Sequence, residues 1–294
     1  MLPSTEQAIS RTPKNHGLVV PSALDIRVET RQTAIDQVRI VPHASPYPLE
    51  VIAERPVTPA DVDPSRVAAV DRGLNTLAAL TFHQPGIIPF LVNGRPLQAL
   101  HQFYNTRRAR LQANLPPGAS ASHQLDTLPD KRSRQITDYL YIASRRLVDQ
   151  LVAHRVGTLV VGKTVGWKQA IGLGKRTNQN VVFVPPARFI EMLRYKAELV
   201  GIHVIVSEES DPSNCSFLDL EPIGKQEVYA GKRVKRGPFQ AADGRRLNAE
   251  VTGADTILRT GVPDAFGNGR GGVVVHPARI ALANGPHGSN VLVA

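Results

Sequence analysis

The sequence predicts an α/β fold in which helices flank a mixed β-sheet. Three observations support this prediction. Short apolar runs joined by tight turns come first, a long segment with helical spacing follows, and apolar runs then alternate with a second helical segment. No residue pattern repeats at a fixed period, so a solenoid or repeat array is excluded.

The first elements of the predicted sheet form an antiparallel meander. Residues 67–71 (VAAVD) are an apolar run that ends in an acid, and the Arg72-Gly73 turn leads into residues 77–82 (LAALTF) and 87–92 (IIPFLV). Residues 96–114 have helical spacing and carry several arginines. We therefore expect three strands followed by a helix.

The second half of the sheet alternates strands with helices. A long helix is predicted over Asp130–Val156, because apolar residues recur there at helical spacing: Ile136, Leu140, Ala143, Leu147 and Leu151. Buried strands are predicted at 158–162 (TLVVG) and 203–206 (HVIV). Between them a helix begins at Pro186 and is closed by Gly201, with Tyr195 packed inside. This order fits a ribonuclease-H-like fold, and other mixed α/β layers also accommodate it.

The remaining chain divides by composition. Residues 1–17 are a polar, disordered lead, and residues 18–55 carry β-branched pieces that predict a small, partial β-barrel-like module. Three prolines mark 56–66 as a linker. The core extends over 67–262, and 263–294 form a C-terminal tail.

The net charge and the amino-acid composition restrict the classes of molecule that the chain is expected to bind. The net charge is +10, which favours a polyanion, although a basic enzyme without such a partner has the same balance. Aromatic residues make up only 5%, which disfavours a base-stacking platform. The single cysteine, Cys215, excludes an internal disulfide framework and a cysteine-based zinc site within one chain. No apolar run is long enough for a membrane span, so no membrane partner is expected.

Three acids are candidate metal ligands. Asp71 ends the first core strand, Glu209 follows HVIV, and Glu250 begins the last helix. Carboxylates that converge on one sheet edge hold paired Mg²⁺ or Mn²⁺ ions for phosphodiester hydrolysis. A lone acid after a strand is more often a turn former. Asp255 lies just over one turn beyond Glu250 and is not placed to replace it without a shift of the helix.

Seven motifs occur in order along the chain: VAAVDRGLNTLAAL, TLVVGKTVGWKQ, GLGKRTNQN, FIEMLRYKAELVGI, EESDPSNCSFLD, GKRVKRG and LNAEVTGADTILR. Together they resemble the TnpB (OrfB-type) proteins of insertion sequences, which are RNA-guided nucleases, from about Leu18 to Pro277. The resemblance implies a RuvC-type nuclease core after an oligonucleotide-binding β module. It also implies a guide RNA from the transposon end, target DNA, and a prokaryotic cytoplasmic, nucleoid-associated location. The oligomeric state stays open.

The resemblance assigns Asp71 as the first catalytic acid. Gly162 stands where most of the family has a glutamate, and a subset takes that glutamate from the position of Glu209, with Glu208 as the alternative. Glu250 stands where the family has its third acid, an aspartate, and Thr252 replaces an asparagine. The two-metal site therefore carries departures, and no zinc is expected because the zinc-ribbon cysteines of the wider family are absent.

Basic residues form three groups suited to phosphate contacts, although a basic run is by itself more often a solvated face. The predicted nucleic-acid-binding residues are Arg107, Arg108, Arg110, Lys163, Lys168, Lys175, Arg176, Lys232, Arg233, Lys235 and Arg236.

Three functional hypotheses remain open. The first is a TnpB-like RNA-guided DNA endonuclease, in which Asp71, Glu209 and Glu250 bind divalent metal. The second is a catalytically inactive nucleic-acid-binding remnant or repressor, motivated by Glu250 and by the 70 residues before Asp71, fewer than the family usually has. The third is a decayed reading frame whose product folds poorly.

Overall fold

The computed structural model describes residues 2–5, 18–20, 26–32, 35–41, 47–164, 185–209, 215, 218–219, 221, 227–234, 237–262, 277–282 and 292–293. It divides into two compact units. One comprises Met1–Pro56 with Thr106–Ser133, and the other comprises Val57–Asn105 with Arg134–Ala294.

The first unit contains two small antiparallel sheets in its described part. Their strands are β1 (Leu2–Thr5), β2 (Leu18–Val19), β3 (Val28–Glu29), β4 (Ile35–Ile40) and β5 (Leu49–Ala53). One sheet has the order β1-β4-β5, and β2 pairs with β3. Residues 2–5 are therefore a paired strand, whereas the sequence placed them in a disordered lead. These four residues show no alternation of apolar and polar side chains, so the sequence pattern does not predict a strand there.

The second unit is built on a seven-stranded sheet within the described residues. Its strands are β6 (Asp63–Asp71), β7 (Thr76–Phe82), β8 (Phe90–Asn93), β9 (Val156–Thr164), β10 (His203–Glu209), β14 (Ala278–Ile280) and β15 (Leu292–Val293). The order is β10-β9-β6-β7-β8-β14-β15. β6, β7 and β8 are antiparallel neighbours, and β9 and β10 run parallel to β6. The predicted α/β class and the meander are confirmed.

Two boundaries of the sheet differ from the prediction. β6 begins at Asp63, inside the segment 56–66 that the prolines marked as a linker. β14 and β15 lie in the expected tail, and β14 pairs in parallel with β8. Both differences arise because strand pairing is non-local, so the partner strand supplies hydrogen bonds that local composition does not show.

Helices cover both faces of this sheet. They are α1 (Arg95–Ala113), α2 (His123–Ala153), α3 (Pro186–Glu198) and α4 (Ala249–Gly261). α2 begins seven residues before the predicted start and contains Pro129. α3 begins at Pro186 as expected, and Gly201 adopts a φ of +83° just after it. None of the helices in the described segments is long and apolar enough to cross a bilayer.

Alternation along β6 assigns its residues to the two faces. Ala68 and Val70 join the main core with buried residues of α2 and α3. Val67 and Ala69 pack instead against Ile257 and Leu258 of α4. Asp71 continues this second set, so the end of β6 directs its carboxylate toward α4.

A small sheet delivers the chain into α4. It consists of β11 (Lys232–Arg233), β12 (Pro238–Gln240) and β13 (Arg246–Asn248), paired in that order. Asn248 ends β13 and is also the N-cap of α4. The first turn of α4 is thus held by a hairpin, which matters because that turn carries Glu250.

Candidate active site

Asp71 is held by the turn that follows β6. Its Oδ1 accepts a hydrogen bond from the backbone N–H of Arg72 at 2.7 Å. The Nε of Arg72 donates to the carbonyl oxygen of Gly162, at the end of β9, at 2.9 Å. The turn is therefore tied to the neighbouring parallel strand, and this restricts where the half-buried carboxylate of Asp71 lies.

Glu250 lies in the first turn of α4, and its backbone is fixed by the cap. The side-chain oxygen of Asn248 accepts from the backbone N–H of Glu250 at 3.0 Å, and Thr252 Oγ1 donates to the Asn248 carbonyl at 3.2 Å. A carboxylate in this position is favoured by the partial positive charge of the helix N-terminus. Thr252, at the position where the TnpB resemblance leads us to expect asparagine, is buried and serves this cap.

Two glycines allow Asp71 to approach α4 and Glu250 to approach the turn after β6. A Cβ on Gly253 would lie 2.4 Å from Asp71 Oδ2, so a side chain at position 253 would require either the Asp71 carboxylate or α4 to move. A Cβ on Gly73 would lie 3.3 Å from Glu250 Oε2. The carboxylate of Asp71 therefore faces α4, and the carboxylate of Glu250 reaches the turn next to Asp71.

Glu209 is the last residue of β10, where its backbone is paired with Thr164. Val70, Val161 and Val206 lie side by side on β6, β9 and β10. The next residues on the three strands are Asp71, Gly162 and Ser207, so these three also lie at about the same level of the sheet. Glu209 thus lies two residues, roughly 7 Å along the strand, beyond the level of Asp71. It occupies the same carboxyl-terminal sheet edge, and its side chain lies outside the described part of the structure.

Cationic side chains accompany these acids. Arg233 Nη2 lies 3.2 Å from Glu250 Oε1, and the two side chains are 43% and 28% exposed. Lys163, at the end of β9, and Lys232, on β11, are exposed in the same unit. In the other unit, Arg107, Arg108 and Arg110 are exposed on α1. The predicted residues Lys168, Lys175, Arg176, Lys235 and Arg236 lie outside the described residues.

The donor set fits a hard divalent cation. Carboxylate oxygens are the ligands that Mg²⁺ and Mn²⁺ prefer. The missing Cβ atoms of Gly73 and Gly253 leave the room that the two carboxylates use. Among the side chains that the structure describes, no group of three acids, histidines or cysteines is placed to hold a metal.

Sequence reasoning missed two polar groups inside the core. Asp255 is 2% exposed, and its Oδ1 accepts a hydrogen bond from Thr81 Oγ1 at 2.5 Å. Lys196 is 5% exposed and donates to the Tyr141 carbonyl and to Ser144 Oγ, whereas Tyr195, predicted to pack inside, is 42% exposed. Helical periodicity indicates which face is buried, but it does not show that a lysine lies on that face.

Comparison with known proteins adds a family and a fold. Residues 46–168 match the OrfB_IS605 family, described as a probable transposase. The fold is similar to that of a protein in a cryo-EM structure of a Cas12f1–sgRNA–target DNA complex, with a TM-score of 0.56 and 14% identity over 76% of this chain and 45% of that one. A cryo-EM structure of a CRISPR-Cas12f ternary complex also matches, with a TM-score of 0.49 and 14% identity over 76% and 44% of the two chains. No curated protein sequence matches the chain.

The Cas12f1 protein and the OrfB_IS605 family each match only part of this chain. At 14% identity the Cas12f1 likeness shows the fold alone, and this chain spans less than half of the length of that protein. The family match includes Asp71, Arg72 and Gly162, the residues that form one side of the candidate site. Residues 46–168 are thus similar to the OrfB_IS605 family, and the described fold is similar to that of the Cas12f1 protein.

Proposed function

We propose that the chain is an RNA-guided DNA endonuclease of transposon origin, with Asp71, Glu209 and Glu250 as ligands of Mg²⁺ or Mn²⁺. The observation that supports this function is the placement of Asp71 against α4 and of Glu250 against the turn after β6, at Gly253 and Gly73. Carboxylates in neighbouring positions repel each other, and a bound cation relieves that repulsion. A metal-binding role gives a reason for this arrangement.

The residues of the proposed site have different roles, namely metal binding and orientation of the metal ligands. Asp71 and Glu250 would hold the metal ions at the sheet edge, together with Glu209. When bound, such ions supply an activated water and neutralise the charge that develops on the phosphodiester during in-line hydrolysis. The Arg72 hydrogen bonds orient the Asp71 carboxylate, and the Asn248 cap orients the first turn that carries Glu250.

The proposed partners are a guide RNA from the transposon end and a target DNA. The similar Cas12f1 protein was solved with an sgRNA and target DNA, which supports the proposal for this chain. The exposed cations Lys163, Lys232 and Arg233 are suited to phosphate contacts beside the acids. Arg107, Arg108 and Arg110 are assigned the same role in the other unit.

A cleavage assay with matched acid variants tests the function. The purified chain, the element-end RNA and a matching DNA target are combined with Mg²⁺ or Mn²⁺. Asp71→Asn and Glu250→Gln are expected to reduce cleavage roughly 100-fold or more. Asp243→Asn is the control, because this exposed acid pairs with Arg245 in the turn between β12 and β13. Cleavage that persists in Asp71→Asn refutes the proposal.

The second candidate is a nucleic-acid-binding protein without nuclease activity. The ion pair between Arg233 and Glu250 favours it, because a guanidinium occupies one oxygen of a proposed metal ligand. This candidate predicts salt-dependent binding of RNA or DNA with no cleavage in either metal. Cleavage that depends on Asp71 rejects it, and so does a failure to bind either nucleic acid at low salt.

A further inference from the structure

A buried carboxyl group lies in the interface between α4 and the sheet. Asp255 is 2% exposed and Thr81, its hydrogen-bond donor on β7, is fully buried. Apolar residues pack α4 against the sheet, among them Ala69, Val160, Ile257, Ala79, Leu91 and Ala254. Burying a carboxyl group in such surroundings costs free energy, and an apolar side chain of similar volume would often be at least as stable. Stability alone therefore gives no reason for an acid at this position.

The hydrogen bond lies one step below the candidate active site. In the β6–β7 pairing Asp71 is opposite Ala79, and Thr81 is opposite Ala69. On the helix, Asp255 follows two residues after Gly253, which lies against Asp71. The helix and the sheet are thus joined at two neighbouring points. One is the steric contact at Gly253, and the other is the polar contact at Asp255.

The polar contact is directional, so it resists sliding of the helix along its axis. The apolar contacts of the same interface, which include Ala79 and Ile257, favour burial but have no preferred direction. Each residue of an α-helix advances about 1.5 Å. A shift of two residues, about 3 Å at right angles to the bond, lengthens the Asp255–Thr81 contact to about 3.9 Å, beyond hydrogen-bonding distance. The same shift displaces Glu250, because it belongs to the same rigid helix.

We propose that Asp255, through its hydrogen bond with Thr81, is a positioning residue that fixes the axial position of α4 and so keeps Glu250 against the Asp71–Gly73 turn for a divalent cation. The inference rests on the proposed function. Its effect is on the separation of the two metal-binding carboxylates, and it reaches the cation only through them.

Metal binding without nucleic acid tests the inference. Mn²⁺ affinity of the full chain is measured by electron paramagnetic resonance, and folding is checked by circular dichroism. Thr81→Val removes the hydroxyl and is expected to weaken Mn²⁺ binding about 10-fold. Thr256→Val is the matched control, because Thr256 is also fully buried and donates within α4 to the Thr252 carbonyl. It is expected to change the affinity less than threefold.

Two conservative variants keep the test decisive. Thr81→Ser retains the hydroxyl and Asp255→Asn retains an acceptor oxygen, so both are expected to bind Mn²⁺ within about threefold of the unchanged chain. A 10-fold loss in either one contradicts the inference, and so does unchanged affinity in folded Thr81→Val. If the unchanged chain binds Mn²⁺ independently of Asp71 and Glu250, the proposed function fails instead. In the cleavage assay, Thr81→Val should raise the Mn²⁺ concentration for half-maximal rate more than it lowers the rate at saturation.

Discussion

Replacing Gly253 by alanine tests whether the close approach of α4 to β6 sets the active-site geometry. The new Cβ would lie 2.4 Å from Asp71 Oδ2, and real Cβ contacts essentially never fall below 3.0 Å. A movement of about 1 Å is needed to restore ordinary contact. Either the Asp71 carboxylate turns away or α4 moves outward, and in both cases the two proposed metal ligands, Asp71 and Glu250, change their relative positions.

The expected losses in rate and in stability differ strongly for this variant. A misplacement of about 1 Å at a reacting centre costs roughly 100-fold in rate. Overpacking costs about 1–3 kcal/mol, and the better helix propensity of alanine offsets about 1 kcal/mol of it. We therefore expect Gly253→Ala to cleave about 100-fold more slowly while losing only about 0–2 kcal/mol of unfolding free energy.

The assay compares initial cleavage rates and urea denaturation for Gly253→Ala and a control. Gly86→Ala is suitable, because Gly86 has a φ of +81° with no atom within 4 Å of an added Cβ. The left-handed conformation costs alanine about 1 kcal/mol, so the control reproduces the loss of stability without crowding Asp71. A Gly253→Ala rate within threefold of the control refutes the reasoning.

Two further predictions concern charged side chains. Removing the guanidinium in Arg233→Gln should tighten Mn²⁺ binding about two- to fivefold, because the partly exposed Arg233–Glu250 pair contributes no more than about 1 kcal/mol; looser Mn²⁺ binding in a titration contradicts this. Burial, with a smaller effect of Arg145, lowers the pKa of Lys196 from 10.5 to about 8. The unfolded chain holds the proton of the Lys196 amino group more tightly than the folded chain does. The free energy of unfolding should therefore rise by roughly 1–3 kcal/mol between pH 8 and pH 10.5. Lys196→Met has no such proton and should lack the rise. Urea denaturation across that range checks it, and parallel pH profiles would show the reasoning to be wrong.

Local patterns were sufficient for the central elements of the fold. The continuous apolar runs of β6 and β9 are typical of strands buried on both faces, and both lie in the middle of the sheet. The Pro186 start and the Gly201 end of α3 follow from backbone restrictions that act within a few residues. These features depend on near neighbours, so the sequence displays them directly.

Elements that depend on distant partners were not predictable. β14 has three residues and joins the sheet by pairing with β8, nearly 190 positions earlier. Lys196 is buried because Tyr141 and Ser144 of α2 supply acceptors for its amino group. Neither the pairing nor the acceptors leave a mark in the surrounding sequence. The same reason explains why Asp255 was seen only as a neighbour of Glu250 and not as the partner of Thr81.

The candidate site was predictable in part for a related reason. An acid after a buried strand, such as Asp71, is visible in the sequence, and so is Glu250 in its motif. The close approaches at Gly73 and Gly253 are possible because these residues have no Cβ atom. A glycine in a sequence does not show what lies against it. The arrangement of the two acids therefore required the structure.

The glutamate at position 250 and its pairing with Arg233 are best understood as one feature. Glu250 reaches the Gly73 turn with Oε2 and Arg233 with Oε1. An aspartate would be shorter by one methylene group, about 1.5 Å, and with the helix in place it would withdraw from both contacts. The longer side chain of Glu250 thus keeps its carboxylate at the Gly73 turn and also allows that carboxylate to pair with Arg233. In the proposed nuclease, metal binding would compete with Arg233, so activity would depend on release of this arginine, for example to a nucleic-acid phosphate. On this reasoning the endonuclease and the inactive binder differ in the partner that Arg233 takes, and Mn²⁺ titration of Arg233→Gln measures that competition directly.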